Sequence, residues 1–362
     1  MGNKAKIAVI GAGNGGQTSA GHFASLGFDV NIFDVNEDTC WELNKIKTIK
    51  LTGAVNCEGT IKMASTDIGK VVKDAKIIFI TIPSIYHKSV VEKMAPYITE
   101  DSTIILHPGS TLSIIDVDNV LREHTSVRYY LAATCTLLYA CRIVKNGEVQ
   151  VFGIKDEISA SALPASDNEH VSKIFNMVYP GRIEMAPNSI YVSMENLNCI
   201  VHPAPTILNI GRIESGADFQ YYIDGFTPSI AKCAEKIDKE RLSIAKAYGL
   251  KMPTCAESYA KEYDVDSSTL YSAIHTCRSY EGIMCGHSLE TRYLLEDVPY
   301  CLVPLEALAK RAGIEVPTIS AFIEIAHAVL GDKLDSGRTF ESMKLDRFKT
   351  KDEFLNYIQV GG

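Results

Sequence analysis

Several features that mark other protein classes are missing from this sequence of 362 residues. It has no run of eighteen apolar residues, so we expect no membrane-spanning helix. Basic runs are short and the formal net charge is −8, which argues against nucleic acid or an anionic membrane as a partner. The ten cysteines form no CxxC pair and no Cys/His cluster with ligand spacing. We therefore predict reduced thiols and no metal site.

We also expect no signal peptide at the start of the sequence. The apolar run KIAVIG, residues 6–11, indicates a strand so early that no apolar leader fits before it. Unpaired cysteines are typical of a reducing compartment. Together, these two observations predict a cytoplasmic protein.

The predicted secondary structure changes character about half-way along the chain. In the first half, apolar strand-like runs such as residues 76–83 alternate with helical patterns, which implies βαβ units and a parallel sheet. Residues 48–66 break this rhythm and indicate a hairpin inserted in the sheet. Later, helical patterns such as residues 229–250 dominate. We predict an α/β fold with an N-terminal Rossmann dinucleotide-binding domain, residues 1–188, and a mainly α-helical substrate and catalytic domain, residues 189–362.

A glycine-rich turn follows the first predicted strand. The run IGAGNGG places Gly11, Gly13 and Gly16 in GxGxxG spacing, with Asn14 inside the turn. A helix pattern follows, and the next predicted strand ends at Asp34, which completes the dinucleotide-binding fingerprint. In that fingerprint the three glycines permit a tight turn, a close approach to pyrophosphate, and close helix–strand packing. The alternative is a structural glycine turn with an accidental aspartate.

The residue at the end of the second strand also predicts the choice of cofactor. The carboxylate of Asp34 can accept hydrogen bonds from ribose hydroxyls and repels a 2′-phosphate, so we expect NAD(H) in preference to NADP(H). Ligands of such folds bind at the carboxyl ends of the strands, so later loops should face the nicotinamide. Pro83 and Ser84 stand at such an end, where ordinary turn chemistry is an equally good explanation.

A histidine followed by prolines lies early in the helical half. In NLNCIVHPAP, residues 196–205, His202 precedes Pro203, and Asn198 lies about one helical turn before it. We expect the prolines to stiffen the turn after His202 and to hold its imidazole. Histidine titrates near neutral pH and therefore suits proton transfer. The alternative is a histidine that simply packs at a helix end.

The run RYLLEDVPYCLVP, residues 292–304, completes a pattern that resembles a known family. With the histidine segment and the N-terminal glycine fingerprint, the chain resembles the opine dehydrogenases, which include the octopine and nopaline enzymes. The family carries an Asn-x3-His-Pro element, here Asn198 to Pro203, and a later Arg-Tyr-Leu-x-Glu-Asp-Val-Pro element, here Arg292 to Pro299. The resemblance covers nearly the whole chain, and the second element is its most specific part.

The resemblance implies a reductive condensation with NADH. An amino acid and a 2-keto acid, commonly pyruvate, form an imine, and hydride from the cofactor reduces it to a secondary amine. In this scheme His202 exchanges protons and Asp297 fixes its second ring nitrogen. Arg292 offers a planar fork for a substrate carboxylate, with Asn198 nearby. A homodimer through the helical domain is also implied.

The sequence departs from the family pattern where we expect substrate contacts. In ATCTLLYACR, residues 133–142, Ala133 replaces a frequent glutamate and Leu138 a frequent proline, and His107 opens a motif that is often Asn-Pro-Gly. Residues 125–146 contain no carboxylate that could pair with a cationic side chain. We therefore predict a neutral amino acid substrate rather than arginine or lysine.

Two other functions are considered from the sequence. Related two-domain dehydrogenases for hydroxy acids or polyol phosphates usually use a lysine near the nicotinamide, and residues 190–205 contain none. A non-catalytic NADH-binding sensor would not need His202, Arg292 and Asp297 together. Oxidation of NADH with pyruvate and a pool of amino acids separates the enzyme from the sensor.

Overall fold

The computed structural model describes residues 5–263 and 265–361. The chain divides into two compact units, one of Met1–Ser193 with Asn356–Gly362 and the other of Met194–Leu355. The boundary expected after residue 188 falls a few residues before this division. At the C-terminus the structure differs from the expected domains, because the last residues belong to the first unit. There the hydroxyl of Tyr357 donates a hydrogen bond to the carboxylate of Asp118.

The first unit is an α/β unit. Its strands are β1 (Lys6–Ile10), β2 (Asp29–Phe33), β3 (Thr48–Gly53), β4 (Cys57–Thr60), β5 (Met63–Ser65), β6 (Ile77–Ile80), β7 (Ser102–Leu106), β8 (Tyr129–Thr134), β9 (Tyr139–Lys145), β10 (Glu148–Ile154), β11 (Ile158–Leu163) and β12 (Ile183–Met185). Its helices are α1 (Asn14–Ser25), α2 (Glu37–Ile46), α3 (Ile68–Val72), α4 (His87–Met94), α5 (Ser113–His124) and α6 (Asn168–Val178), and α7 (Ser189–Met194) spans the division.

The main sheet has the strand order β12-β11-β8-β7-β6-β1-β2-β5. From β5 to β8 neighbouring strands are parallel, whereas β11 runs antiparallel to β8. The inner strands β6 and β7 are buried at every position, as expected for strands covered on both faces. Chain order reverses between β1 and β6, which is the switch point where ligands of doubly wound sheets bind. The predicted Rossmann domain is confirmed.

A second sheet corrects one expectation from the sequence. The hairpin predicted within residues 48–66 exists as β3 and β4, but it pairs in the order β4-β3-β10-β9 instead of entering the main sheet. Only β5 joins the main sheet, beside β2. The second sheet packs on α1 at very short range, because a Cβ on Gly59 would lie 2.2 Å from the carbonyl oxygen of Gly21. Two glycines therefore allow α1 to be covered by this sheet.

The second unit is mainly helical, as predicted. Its helices are α8 (Asn198–Val201), α9 (Pro203–Leu208), α10 (Ile210–Glu214), α11 (Pro228–Ala247), α12 (Cys255–Tyr263), α13 (Leu270–Thr276), α14 (Arg292–Leu295), α15 (Val303–Ala312), α16 (Pro317–Leu330) and the first half of α17 (Lys351–Val360), with a π-helical turn at Val298–Leu302. The longest helix, α11, begins after Thr227, whose hydroxyl accepts a hydrogen bond from the Ile230 amide. Gly313 ends α15 with a φ of +68°, a left-handed conformation that favours glycine.

Candidate active site

The glycine-rich turn after β1 has the geometry that its sequence predicts. Gly11 has a φ of +105°, and a Cβ there would lie 2.6 Å from Cγ2 of Ile82. A Cβ on Gly16 would lie 1.8 Å from the carbonyl oxygen of Gly11, so no other residue fits at the start of α1. A Cβ on Gly13, in contrast, would meet nothing within 4 Å. The open space beside Gly13 is where a bound pyrophosphate would approach the backbone.

The first turn of α1 offers backbone amides to an anion. Gly13 is the N-cap residue, and no side chain caps the helix. The backbone N–H groups of the first turn are therefore available to donate hydrogen bonds to a ligand. They lie at the N-terminal end of the helix, where the helix dipole favours anions. The Asn14 side chain is engaged elsewhere, because its Oδ1 accepts a hydrogen bond from the Ile143 amide of β9 at 2.9 Å. Oδ1 of Asn14 is thus occupied, while its backbone amide lies in the first turn that faces the anion site.

Gln17 links the glycine-rich turn to the second sheet. Its buried side chain donates to the carbonyl oxygen of Ala12 at 2.9 Å and to Oδ1 of Asn146 at 2.8 Å. Its Oε1 accepts from the Gly147 amide at 3.0 Å. The loop between β9 and β10 therefore holds the turn in place, a role that no sequence motif indicated.

Asp34 lies directly after β2 and beside the glycine-rich turn. Its Oδ2 accepts a hydrogen bond from the Ala12 amide at 2.7 Å, and its Oδ1 accepts one from the Asn36 amide at 2.9 Å. Each carboxylate oxygen can accept a further bond. The next four residues, 35–38, include no Lys or Arg. The donors and acceptors of this site fit the pyrophosphate and ribose of a dinucleotide.

Pro83 and Ser84 lie after β6, as the sequence predicts. Pro83 is exposed, and the buried Ser84 begins a short 3₁₀ turn. The Ser84 hydroxyl donates to Oγ of Ser110 at 2.7 Å, so it links the loops after β6 and β7. A contact of either residue with the nicotinamide stays a prediction.

In the second unit, His202 and Asp297 form the pair that the sequence predicts. His202 Nδ1 lies 2.7 Å from Asp297 Oδ2, and each residue is only 3% exposed. The prolines act differently from the expected stiffened turn: α8 ends at Val201, and Pro203 begins α9 at a position where no N–H is needed. The carbonyl oxygen of His202 accepts hydrogen bonds from the hydroxyls of Thr206 and Tyr221, at 2.8 and 2.7 Å.

Two tyrosines that the sequence analysis missed contact the His202 ring. The Tyr222 hydroxyl lies 2.8 Å from Nε2, and the Tyr293 ring stacks on the imidazole with 4.1 Å between centroids. With Nδ1–H donating to Asp297, Nε2 accepts from the Tyr222 O–H in the neutral imidazole. Tyr293 lies inside the motif that begins at Arg292, which was a usable signal. Tyr222 belongs to no motif.

Asp297 has a second neighbour in the thiol of Cys301. Cys301 Sγ lies 3.8 Å from Asp297 Oδ1, and Nδ2 of Asn196 lies 3.3 Å from the same sulfur. Burial raises the pKa of the Cys301 thiol well above its usual range, so the thiol stays protonated and can donate to the carboxylate. Asp297 therefore has a hydrogen-bond partner on each of its two carboxylate oxygens.

Asn198 lies on the segment that carries His202, and Arg292 lies on the segment that carries Asp297. Arg292 is exposed at the first residue of α14, next to Tyr293, and within the described residues its guanidinium has no ion-pair partner. The carbonyl oxygen of Asn198 accepts a hydrogen bond from the His202 amide at 2.9 Å, one turn later. Among the residues that the structure describes, none pairs with the half-buried Asn198 side chain or the Arg292 guanidinium, so both can bind a ligand.

The expectation that the unusual residues of the first unit lie in substrate contacts is wrong for three of them. Ala133 and Leu138 are buried, Leu138 in the hydrophobic core of this unit. His107 is fully buried, with Nδ1 2.8 Å from the Thr134 hydroxyl, and burial lowers its pKa to about 3. Leu137 is half-buried and packs against Gly15 of the glycine-rich turn. Among Ala133, Leu137, Leu138 and His107, only Leu137 is partly exposed to a ligand.

Comparisons with known proteins agree with this fold. Residues 185–330 match the alpha-helical domain of NAD/NADP octopine/nopaline dehydrogenases, and residues 6–109 match the N-terminus of NAD-dependent glycerol-3-phosphate dehydrogenase. Opine dehydrogenase from Arthrobacter sp. (strain 1C) is 36% identical over 93% of this chain and 94% of its own. This chain belongs to the opine dehydrogenase family. It is an NAD(P)-dependent oxidoreductase of the class that acts on CH–NH donors.

Solved structures of two opine dehydrogenases share the fold. Octopine dehydrogenase with NADH and L-arginine superimposes with a TM-score of 0.84 at 21% identity, covering 97% of this chain and 98% of its own. The same enzyme has been solved with NADH and pyruvate. Yersinopine dehydrogenase with NADP⁺ superimposes with a TM-score of 0.78 at 12% identity, covering 95% of this chain and 98% of its own.

Two further features are absent from the described residues. None of their helices combines the length and the apolar character needed to cross a membrane. No three His, Cys, Asp or Glu side chains among them are grouped so that they could hold a metal ion.

Proposed function

We propose that this protein is an NADH-dependent opine dehydrogenase that joins an amino acid to a 2-keto acid, commonly pyruvate, and reduces the resulting imine. The observation that carries this proposal is the buried His202–Asp297 pair, with 2.7 Å between Nδ1 and Oδ2, in a chain of this family. The free guanidinium of Arg292 on α14 supports it, because both substrates carry carboxylates.

The proposed chemistry gives each residue of the second unit a defined task. His202 exchanges protons through Nε2, while Asp297 fixes the tautomer at Nδ1 and stabilises the imidazolium that forms. Arg292 binds a substrate carboxylate through two parallel hydrogen bonds. The half-buried Asn198 side chain offers a further donor and acceptor to the substrate. When NADH is bound, it supplies the hydride that reduces the imine carbon.

For the cofactor, we propose a preference for NADH over NADPH. The glycine-rich turn would hold the pyrophosphate and Asp34 the ribose hydroxyls. A 2′-phosphate would meet the Asp34 carboxylate with no Lys or Arg in residues 35–38 to offset it. The NADP⁺ complex of yersinopine dehydrogenase indicates that the fold itself accepts either cofactor. The preference therefore rests on these residues of this chain.

For the amino acid, we propose a neutral side chain. Residues 125–146 contain no carboxylate. Ala133 and Leu138 are buried, and the half-buried Leu137 lies beside the glycine-rich turn. Burying a cation without a partner costs several kcal/mol. Octopine dehydrogenase, which has been solved with L-arginine, provides the contrast. A cytoplasmic location and a homodimer, the latter testable by light scattering, also stay proposals.

A substrate screen tests the proposed function. Oxidation of NADH is followed at 340 nm (the NADH absorbance band) with pyruvate and each standard amino acid in turn, and the products are identified by mass spectrometry. We expect oxidation only when both substrates are present and a product of the mass of the N-(carboxyethyl) amino acid. Oxidation with pyruvate alone would identify a hydroxy-acid dehydrogenase, and NADH binding without turnover would identify a sensor. If arginine gives the highest kcat/KM, the proposed neutral substrate is wrong.

A further inference from the structure

The Tyr222 hydroxyl covers Nε2 of His202, the ring nitrogen through which protons must be exchanged. Nδ1 is held by Asp297, so only Nε2 can serve a substrate, and Nε2 lies 2.8 Å from the Tyr222 hydroxyl. Tyr293 covers a face of the same ring. His202 is 3% exposed and Tyr222 is 5% exposed. A proton that leaves Nε2 therefore reaches the Tyr222 oxygen first.

Tyr222 is held in this position by its own turn. The preceding residue, Tyr221, donates its amide to the carbonyl oxygen of Ile283 at 2.8 Å, and Gln220 forms a β-bridge with Met284. The turn is closed by the Asp224 amide, which donates to the carbonyl oxygen of Gln220 at 2.9 Å. Displacing Tyr222 from His202 would have to break part of this arrangement.

The ring and the hydroxyl of Tyr222 are also fixed by other aromatic side chains. Its ring stacks on Tyr280 with 4.0 Å between centroids and an interplanar angle of 13°. Burial first, and then the neighbouring Tyr293, Tyr280 and Tyr221, raise the pKa of Tyr222 far above its usual range. The phenol therefore stays protonated, and it can pass a proton on only if it receives another at the same time. Tyr293, which also interacts with the Tyr222 hydroxyl, is half-buried and reaches the surface.

We propose that Tyr222 is a catalytic residue, the phenol through which the His202–Asp297 pair exchanges its proton with the carbinolamine formed from the amino acid and the keto acid. This inference rests on the proposed function. It differs from the simpler scheme in that the substrate contacts the Tyr222 hydroxyl and not the imidazole.

The proton transfer in the dehydration step is balanced. The C–O bond of the carbinolamine breaks while the nitrogen lone pair forms the C=N bond. The Tyr222 O–H proton moves to the departing hydroxyl, and the Nε2–H proton of the His202 imidazolium moves to the Tyr222 oxygen. The products are the protonated imine, one water and a neutral imidazole whose Nδ1–H still donates to Asp297. No oxidant or reductant takes part in this step.

The direct test removes the hydroxyl and keeps the ring. Tyr222→Phe should retain the stacking on Tyr280 but lower kcat by about a hundredfold or more, within the ~10²–10⁴ range of general acid–base catalysis, with little change in KM or in the Kd of NADH. The matched control is Tyr259→Phe, which removes another hydroxyl of the same aromatic cluster; that hydroxyl contacts Tyr280 and not His202. The control should keep the wild-type kcat.

If substrate instead displaces Tyr222 and meets the imidazole directly, Tyr222→Phe will keep or raise kcat, and the inference is overturned. The His202→Ala variant distinguishes a failure of the Tyr222 relay from a failure of the proposed acid–base role of His202. An inactive His202→Ala enzyme with an active Tyr222→Phe enzyme refutes only the relay, whereas two fully active variants refute the proposed acid–base role of the histidine as well.

A second measurement needs no variant. In single turnovers of the wild-type enzyme in mixtures of H₂O and D₂O, two protons moving together give a curved dependence of the rate on the deuterium fraction. We expect this curvature for the wild type. A linear dependence, which indicates one moving proton, would overturn the relay even if Tyr222→Phe failed to fold.

Discussion

His202 is fixed at both ring nitrogens, at its backbone carbonyl and on one ring face. A ring held in one orientation in this way suits proton transfer along one direction. We expect His202→Ala to lower kcat by about a hundredfold or more, as for other acid–base groups. Asp297→Asn should also lower kcat, because the amide no longer stabilises the imidazolium of His202. Steady-state kinetics check both variants, and the Kd of NADH should stay at the wild-type value because the nucleotide-binding residues belong to the other unit. A fully active His202→Ala enzyme would refute the assignment.

Arg292 is an exposed cation on α14 with no ion-pair partner among the described residues. If it binds a substrate carboxylate, Arg292→Ala removes a charged hydrogen bond worth ~1.5–3 kcal/mol, and the KM of that substrate rises by roughly ten- to a hundredfold. The exposed Arg347 supplies the control, since Arg347→Ala should leave every KM unchanged. Unchanged KM values for both carboxylate substrates in Arg292→Ala would make Arg292 a structural residue.

Asp34 places a carboxylate beside the turn that would hold the pyrophosphate. We expect kcat/KM with NADH to exceed that with NADPH, because the carboxylate repels a 2′-phosphate. Asp34→Ser should narrow the difference between the two kcat/KM values. It weakens the binding of NADH and removes the repulsion of the 2′-phosphate of NADPH. Kinetics with both cofactors check this prediction. Equal or better efficiency of the wild-type enzyme with NADPH contradicts it.

At the scale of secondary structure, we expect Gly13 of the glycine-rich turn to matter for cofactor binding but not for the stability of the fold. A Cβ on Gly13 meets no atom within 4 Å, so Gly13→Ala should keep the wild-type Tm. The same Cβ fills the space through which the backbone approaches pyrophosphate, so the Kd of NADH should rise, which calorimetry measures. Gly153 is the control, because a Cβ there also meets nothing and Gly153→Ala should change neither quantity. An unchanged Kd for Gly13→Ala would place the pyrophosphate elsewhere.

Local patterns explain why some elements could be predicted and others could not. The β1–α1–β2 unit follows from short-range rules, and it was predicted correctly. The sheet that β3 and β4 join was not, since pairing with β10 is set by contacts nearly a hundred residues away in the chain. Tyr222 was missed for the same reason, because its contact with His202 depends on a turn that is fixed by residues 283–285.

At the scale of the whole molecule, the two units divide the proposed reaction between them. The first unit carries the donors and acceptors that fit a dinucleotide, and the second carries the proposed acid–base pair, His202 and Asp297, and the exposed Arg292 proposed to bind a carboxylate. The matches to separate family models for residues 6–109 and 185–330 reflect the same division. Residues 6–109 match the N-terminal model of another dehydrogenase family, so we expect the second unit to decide the reaction.

The central claim is that the enzyme forms a bond between the keto-acid carbon and the amino-acid nitrogen. The most direct measurement is the ¹³C spectrum of the product made from [2-¹³C]pyruvate, a ¹⁵N-labelled amino acid and NADH. Our account predicts a secondary amine whose labelled carbon shows one-bond coupling to ¹⁵N. Labelled lactate, with its carbon bound to oxygen and no coupling to ¹⁵N, would contradict it.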